Sequence, residues 1–152
     1  MMKKCFTVVA LFAMTLLAAQ SQAAPNLTGV WKLNLAKSEL GPVPQPEILT
    51  RTVNHNDPSL QISSYTKGAA GETTTELKYT TDGKPAENKG SKGTAKWDGD
   101  KLVVDSVRDF QGSELKLHDI WTLSADGKTL TVNSHLAVPQ GEFDVIWVFD
   151  KQ

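Results

Sequence analysis

Sulfur is nearly missing from this chain of 152 residues, which has one cysteine and three methionines. All four, Met1, Met2, Cys5 and Met14, stand at its N-terminal end. Without that end no disulfide can form, so packing alone must hold the remainder together. Arginine is as scarce, with two residues, Arg51 and Arg108. The three histidines, His55, His118 and His135, have no second His, Cys or carboxylate pair at a ligand spacing. They are read as surface or strand-end residues, and no metal or cofactor is expected. There is no Gly-x-Ser-x-Gly elbow, and Asp98-Gly99-Asp100 lacks the rest of a calcium loop. With no catalytic constellation legible, an enzyme is not expected.

Long apolar runs are also lacking, with one exception. Lys3 and Lys4 precede a run from Phe6 to Ala19, broken only by Thr7 and Thr15 and followed by the small residues Ser21-Gln22-Ala23. This is the layout of a secretory signal peptide, residues 1–23, with cleavage expected between Ala23 and Ala24. A membrane-spanning helix needs about 20 apolar residues, more than this run supplies, and Cys5 stands too early for a lipoprotein cut. The expected location is the periplasm or the exterior.

Cleavage takes Lys3 and Lys4 from the 16 Lys+Arg, leaving 14 against 17 Asp+Glu, a net charge of −3. Mild acidity with scattered lysines argues against a nucleic-acid partner. The lysines at 84, 89, 92 and 96 around Gly90 and Gly93 read as a solvated loop. Residues 24–152 are expected to form one domain, which at this length buries about two-thirds of its unfolded surface.

Short β-rich runs fill that domain: 27–35, 47–55, 59–66, 72–80, 94–97, 101–110, 114–124, 128–138 and 142–150. Turn chemistry separates them, including Asp82-Gly83, Asp98-Gly99 and Asp126-Gly127. Asp-Gly supplies the positive φ angles that tight hairpins need. Alternation marks an inner face: Trp31, Leu33 and Leu35; Leu115, Leu117, Trp121 and Leu123; Leu130, Val132, Leu136 and Val138; Phe143, Val145, Trp147 and Phe149. The expectation is all-β, an antiparallel up-and-down meander of eight to nine strands closed into a barrel to hide its edges. A β-sandwich has the same period and stays the alternative. One connection differs. Residues 36–40 suit a single helical turn stopped by Gly41, and Pro42, Pro44 and Pro46 then stiffen the chain. A rigid spacer is preferred there over a lid across the barrel mouth.

The stretch from Leu27 to Leu35, with Gly29 and Trp31 as a Gly-x-Trp, resembles the opening strand of lipocalin-like, or calycin, barrels. The whole mature chain resembles a group of small secreted bacterial proteins with such barrels. The matching stretches are Trp31-Lys-Leu-Asn-Leu-Ala-Lys-Ser38, Asp82-Gly-Lys-Pro85, Lys96-Trp-Asp-Gly-Asp-Lys-Leu-Val103 and Trp121-Thr-Leu-Ser-Ala-Asp-Gly-Lys-Thr-Leu130. The resemblance implies the fold, an internal cavity and a floor closed by Trp31; it names no ligand. There are departures. Lipocalins proper place a late arginine on the floor tryptophan, whereas this chain offers only Lys151. A C-terminal helix has no room. The length is nearer to fatty-acid-binding or avidin-like barrels, yet the avidin tryptophans are not evident.

Arg51 alternates with Leu49 and Val53, and Arg108 with Leu102, Val104 and Phe110, so both fall in the apolar register of their strands. An unpartnered buried guanidinium is costly, and its fork suits a carboxylate or phosphate. Three readings stand: the arginines hold the head group of an anionic amphiphile in the cavity, they snorkel at the rim, or they pair with Asp119, inward between Leu117 and Trp121. Ser64, Thr66, Thr73, Thr75 and Ser134 share inward registers, which marks either a wet interior or cross-strand hydrogen bonds. Trp31, Trp121 and Trp147 face inward, as core or cavity wall, and Trp97 is placed at a rim. Outward-facing Ile146 and Val148, with Val30 near them, form a candidate dimer strip.

The function these features favour is an exported barrel binding a small hydrophobic or amphiphilic molecule, anionic if the arginines face inward. The candidate ligand-binding residues are Arg51, Arg108, Asp119, Ser64, Thr75, Ser134, Trp121 and Trp147. The expected state is a monomer or weak homodimer with no membrane span after cleavage. The alternative is a filled, non-enzymatic envelope or protein-interaction module. An open interior of several hundred Å3 favours the first, a packed one the second.

Overall fold

Ten strands make one antiparallel sheet in a computed structural model that describes residues 23–152. The proposed leader, apart from Ala23, lies outside the described residues. The strands are β1 (Gly29–Leu33), β2 (Ile48–Asn56), β3 (Ser59–Gly68), β4 (Gly71–Thr80), β5 (Ala86–Asn88), β6 (Ser91–Asp98), β7 (Lys101–Phe110), β8 (Ser113–Leu123), β9 (Thr129–Val138) and β10 (Gly141–Lys151). Each pairs with its sequence neighbours except at two places. β1 pairs with β10, which turns the meander into a ring, and β4 and β5 are the two ends of the sheet. Among the described residues no ladder joins those ends. The Asn88 side chain bridges them, because its Oδ1 accepts from the Lys78 N–H at 2.8 Å and its Nδ2 donates to the Lys78 carbonyl at 3.1 Å. One amide thus stands in for a strand pair at the seam of a nearly closed barrel.

The single sheet replaces the sandwich alternative, and the count is ten rather than eight to nine. The added strand, β5, is three residues long between Pro85 and Lys89, too short to show an alternation. Strand β1 is shorter than expected. It ends at Leu33, and Leu35 opens a 3-10 turn through Lys37, capped by Asn34, whose side chain accepts from the Lys37 N–H. Leu35 therefore leaves the inner face and is 40% exposed. After that turn the chain rejoins β10, with Glu39 and Ile146 exchanging backbone hydrogen bonds of 2.8 and 2.7 Å. This detour runs along β10, and Val148 is buried, which removes it from the proposed dimer strip; Val30 remains exposed.

One end of the barrel is solid. Trp31, Leu60, Leu102, Leu130 and Phe149 are fully buried there. Trp31 Nε1 donates to the Leu27 carbonyl at 2.9 Å, and Lys151 Nζ lies 5.4 Å from the centre of its ring. The lysine thus supplies the cation expected of the missing late arginine. Gly29 leaves the room, since a Cβ there would come within 2.8 Å of Lys151 Cε. Gly93 on β6 is needed more strictly: a Cβ would collide with the Asp105 carbonyl oxygen and Ser106 Cα of β7.

Candidate functional site

The other half of the barrel is hollow, with a cavity of about 440 Å3, inside the range of small-molecule sites. Alternation along β2, β3, β4, β8 and β9 aims Arg51, Ser64, Thr75, Asp119, Trp121 and Ser134 at it. Arg108 on β7 and Trp147 on β10 line it too. Apolar wall comes from Leu49, Ile62, Leu77, Val104, Leu115 and Leu117. Val43, Pro44 and Pro46 also border the space, so the proline-rich connection lies at the mouth instead of acting only as a spacer. Thr73 does not line it. It is exposed near the outer end of β4.

The charged groups are arranged unusually. The Arg51 Cζ sits 4.8 Å from the centre of the Phe149 ring and 5.3 Å from that of Trp121, so its cation rests on two π faces. That position is deep, not at the rim. Burial lowers its pKa from the ordinary arginine value to about 10, with Asp119 opposing the shift and Arg108 adding to it; the group stays charged at neutral pH. Among the described residues neither arginine comes within 4 Å of a carboxylate oxygen. The internal Arg–Asp119 pair therefore does not form. Arg51 Nε and Nη1, Arg108 Nε, Trp121 Nε1, Tyr79 Oη and Asp119 Oδ1 are buried with no hydrogen-bond partner on the protein. Burial pushes the Asp119 carboxyl above the usual range, while the Ser134 hydroxyl and the two guanidiniums pull it back. Burial also raises Tyr79, with Arg108 opposing it.

Tyr79 was not among the residues singled out from the sequence. The signal was present, because it continues the Thr75–Leu77 register on β4. The histidines divide. His55 is at a strand end, the last residue but one of β2, and it is buried at the solid end because it continues the Leu49–Arg51–Val53 register. His118 and His135 lie on the outer wall, held by Asp105 at 2.6 Å and Asp144 at 2.7 Å. Among the described residues no group of three or more His, Cys, Asp or Glu is placed to hold a metal. Trp97 stands beside the solid end and donates from Nε1 to Asp57 at 3.0 Å. No helix of the described residues is long and apolar enough to cross a membrane.

No protein-family model and no curated protein matches the chain. Solved structures do. A zebrafish ileal bile acid-binding protein, crystallised with cholic acid, superposes with a TM-score of 0.59 at 18% identity, over 83% of this chain and 98% of that one. Two variants of the fluorescent protein UnaG give TM-scores of 0.56 and 0.54 at 16% identity, over 82% of this chain and 95% and 94% of theirs. At such identities the likeness establishes the fold alone, a nearly closed antiparallel β-barrel.

Proposed function

We propose that this protein is an exported, non-catalytic carrier whose barrel takes up a small amphiphilic molecule with an anionic head and an apolar body. One observation carries the reading. Two half-buried arginines, with Arg51 Nε and Nη1 and Arg108 Nε shut off from solvent, face a cavity of about 440 Å3 without an ion-pair partner. Buried polar groups are normally hydrogen-bonded, and an unpaired buried cation is expensive. Groups kept in that state are what a ligand head group would satisfy. The structural neighbours agree with it, since one of them is a bile acid-binding protein holding cholic acid. The size of the cavity favours this reading over a filled interaction module.

Export rests on the N-terminal sequence. Among the described residues Leu27 is the first buried in the core, so a cut between Ala23 and Ala24 removes none of the described core, and the expected destination is the periplasm or the exterior. N-terminal sequencing of the protein from its own compartment should begin at Ala24. The binding reading is tested by titrating a dansyl-labelled undecanoate into the wild type and the Arg51→Ala, Arg108→Ala double variant. Saturable one-to-one binding, weakened about tenfold or more in the double variant, is expected. Equal affinities, or no binding of any amphiphile, would overturn it.

A further inference from the structure

The unpaired groups of the cavity do more than ask for an anion. Guanidinium and indole N–H groups can only donate, and Arg51 Nε, Arg51 Nη1, Arg108 Nε and Trp121 Nε1 are all unpartnered. They call for acceptor oxygens. An ionised carboxylate can only accept, and Asp119 Oδ1 is unpartnered in the same cavity. It calls for a donor. A plain carboxylate head meets the first demand and worsens the second, because it sets a like charge near Asp119 with no proton to offer.

Charge narrows the class further. Inside the chamber two guanidiniums face the one buried carboxylate, Asp119, while Asp109 is also on the lining but exposed to solvent. With Asp119 ionised the interior holds one positive charge in excess, which a monoanion neutralises and a phosphate dianion overshoots. Resting on the amphiphile reading above, we infer that the ligand is a hydroxylated monocarboxylic acid, its carboxylate held by Arg51 and Arg108 and its hydroxyl donated to Asp119 Oδ1. Ser134, directly opposite Asp119 on the neighbouring strand, shares that side of the wall. The apolar body lies against residues such as Leu115 and Leu117. Selectivity then comes from the polar end. A site built to pair a hydroxyl rejects the analogue lacking it more strongly than a hydrophobic wall rejects a missing methylene.

Calorimetric titration of the wild-type protein with dodecanoate, 2-hydroxydodecanoate and 3-hydroxydodecanoate tests this. One of the hydroxy acids should bind at least about tenfold more tightly than dodecanoate, the scale of one buried group left unpaired. In Asp119→Ala that preference should shrink to within about threefold, because no buried acceptor is left for the hydroxyl to satisfy. Equal binding of all three acids by the wild type overturns the hydroxyl assignment while leaving the amphiphile reading intact. Binding of none overturns both. Should the variant not fold, the wild-type ranking still decides.

Discussion

The two halves of the barrel use the same kinds of residue in opposite states. At the solid end Trp31 has its indole N–H bonded to the Leu27 carbonyl and a lysine over its ring. In the chamber Trp121 has an arginine near its ring, but its N–H has no partner. At the solid end the Thr81 hydroxyl, the Trp97 indole and His55 Nε2 all converge on Asp57 Oδ1. His55 Nδ1 accepts from the Leu27 N–H, which leaves Nε2 as the ring nitrogen facing Asp57. In the chamber Asp119 Oδ1 receives nothing. One half has completed its hydrogen bonds within the chain. The other keeps donors and an acceptor in reserve, at a cost the packed half must offset.

The sharpest way to break this contrast is to exchange the consequences. Trp31→Ala should destabilise by about 3–5 kcal/mol in urea unfolding, because it empties a fully buried site. Arg51→Met should do the reverse. It replaces a buried, unpaired cation with an apolar side chain of similar length, and stability should be unchanged or rise by about 1–3 kcal/mol, while dansyl-undecanoate binding is lost. A strongly destabilised Arg51→Met would mean that the arginine is structural and the two halves are not different in kind. A smaller effect belongs to the seam. Asn88→Ala removes both bridges to Lys78 and should cost about 1 kcal/mol, with amide exchange at Lys78 accelerated and that in the β7–β8 ladder unchanged.

The strands were legible because period-two alternation and Asp-Gly turns act locally. What depended on distant chain was not. The three residues of β5 are held as a strand by β6 and by the Asn88 bridge to β4, which no local pattern announces. Leu35 keeps the alternation of Trp31 and Leu33, yet it leaves the sheet because the chain detours past Lys37 before rejoining β10. For the site, register alone aimed Arg51, Arg108 and Asp119 inward. Whether they would pair was not readable, since that depends on how the strands stagger around the ring. Tyr79 and His55 were readable and overlooked; each follows a register already identified on its own strand.

The finest comparison sets one carboxylate of each half against the other by pH. Hydrogen bonds from Thr81, Trp97 and His55 hold Asp57 below the usual carboxylate range. Its contribution is fully present above the ordinary value and is lost as pH falls through the lowered one. Burial holds Asp119 above that range. Its penalty is absent below the ordinary value and grows as pH rises through the raised one. Measured by urea unfolding from pH 3 to 8, Asp57→Asn should therefore fall further below the wild type as pH increases, and Asp119→Asn should gain on it over the same direction. Curves of the same slope would show that both carboxylates answer to folding alone. Added ligand should flatten the Asp119 side of the comparison and leave the Asp57 side where it was, because only the chamber has a bond still to make.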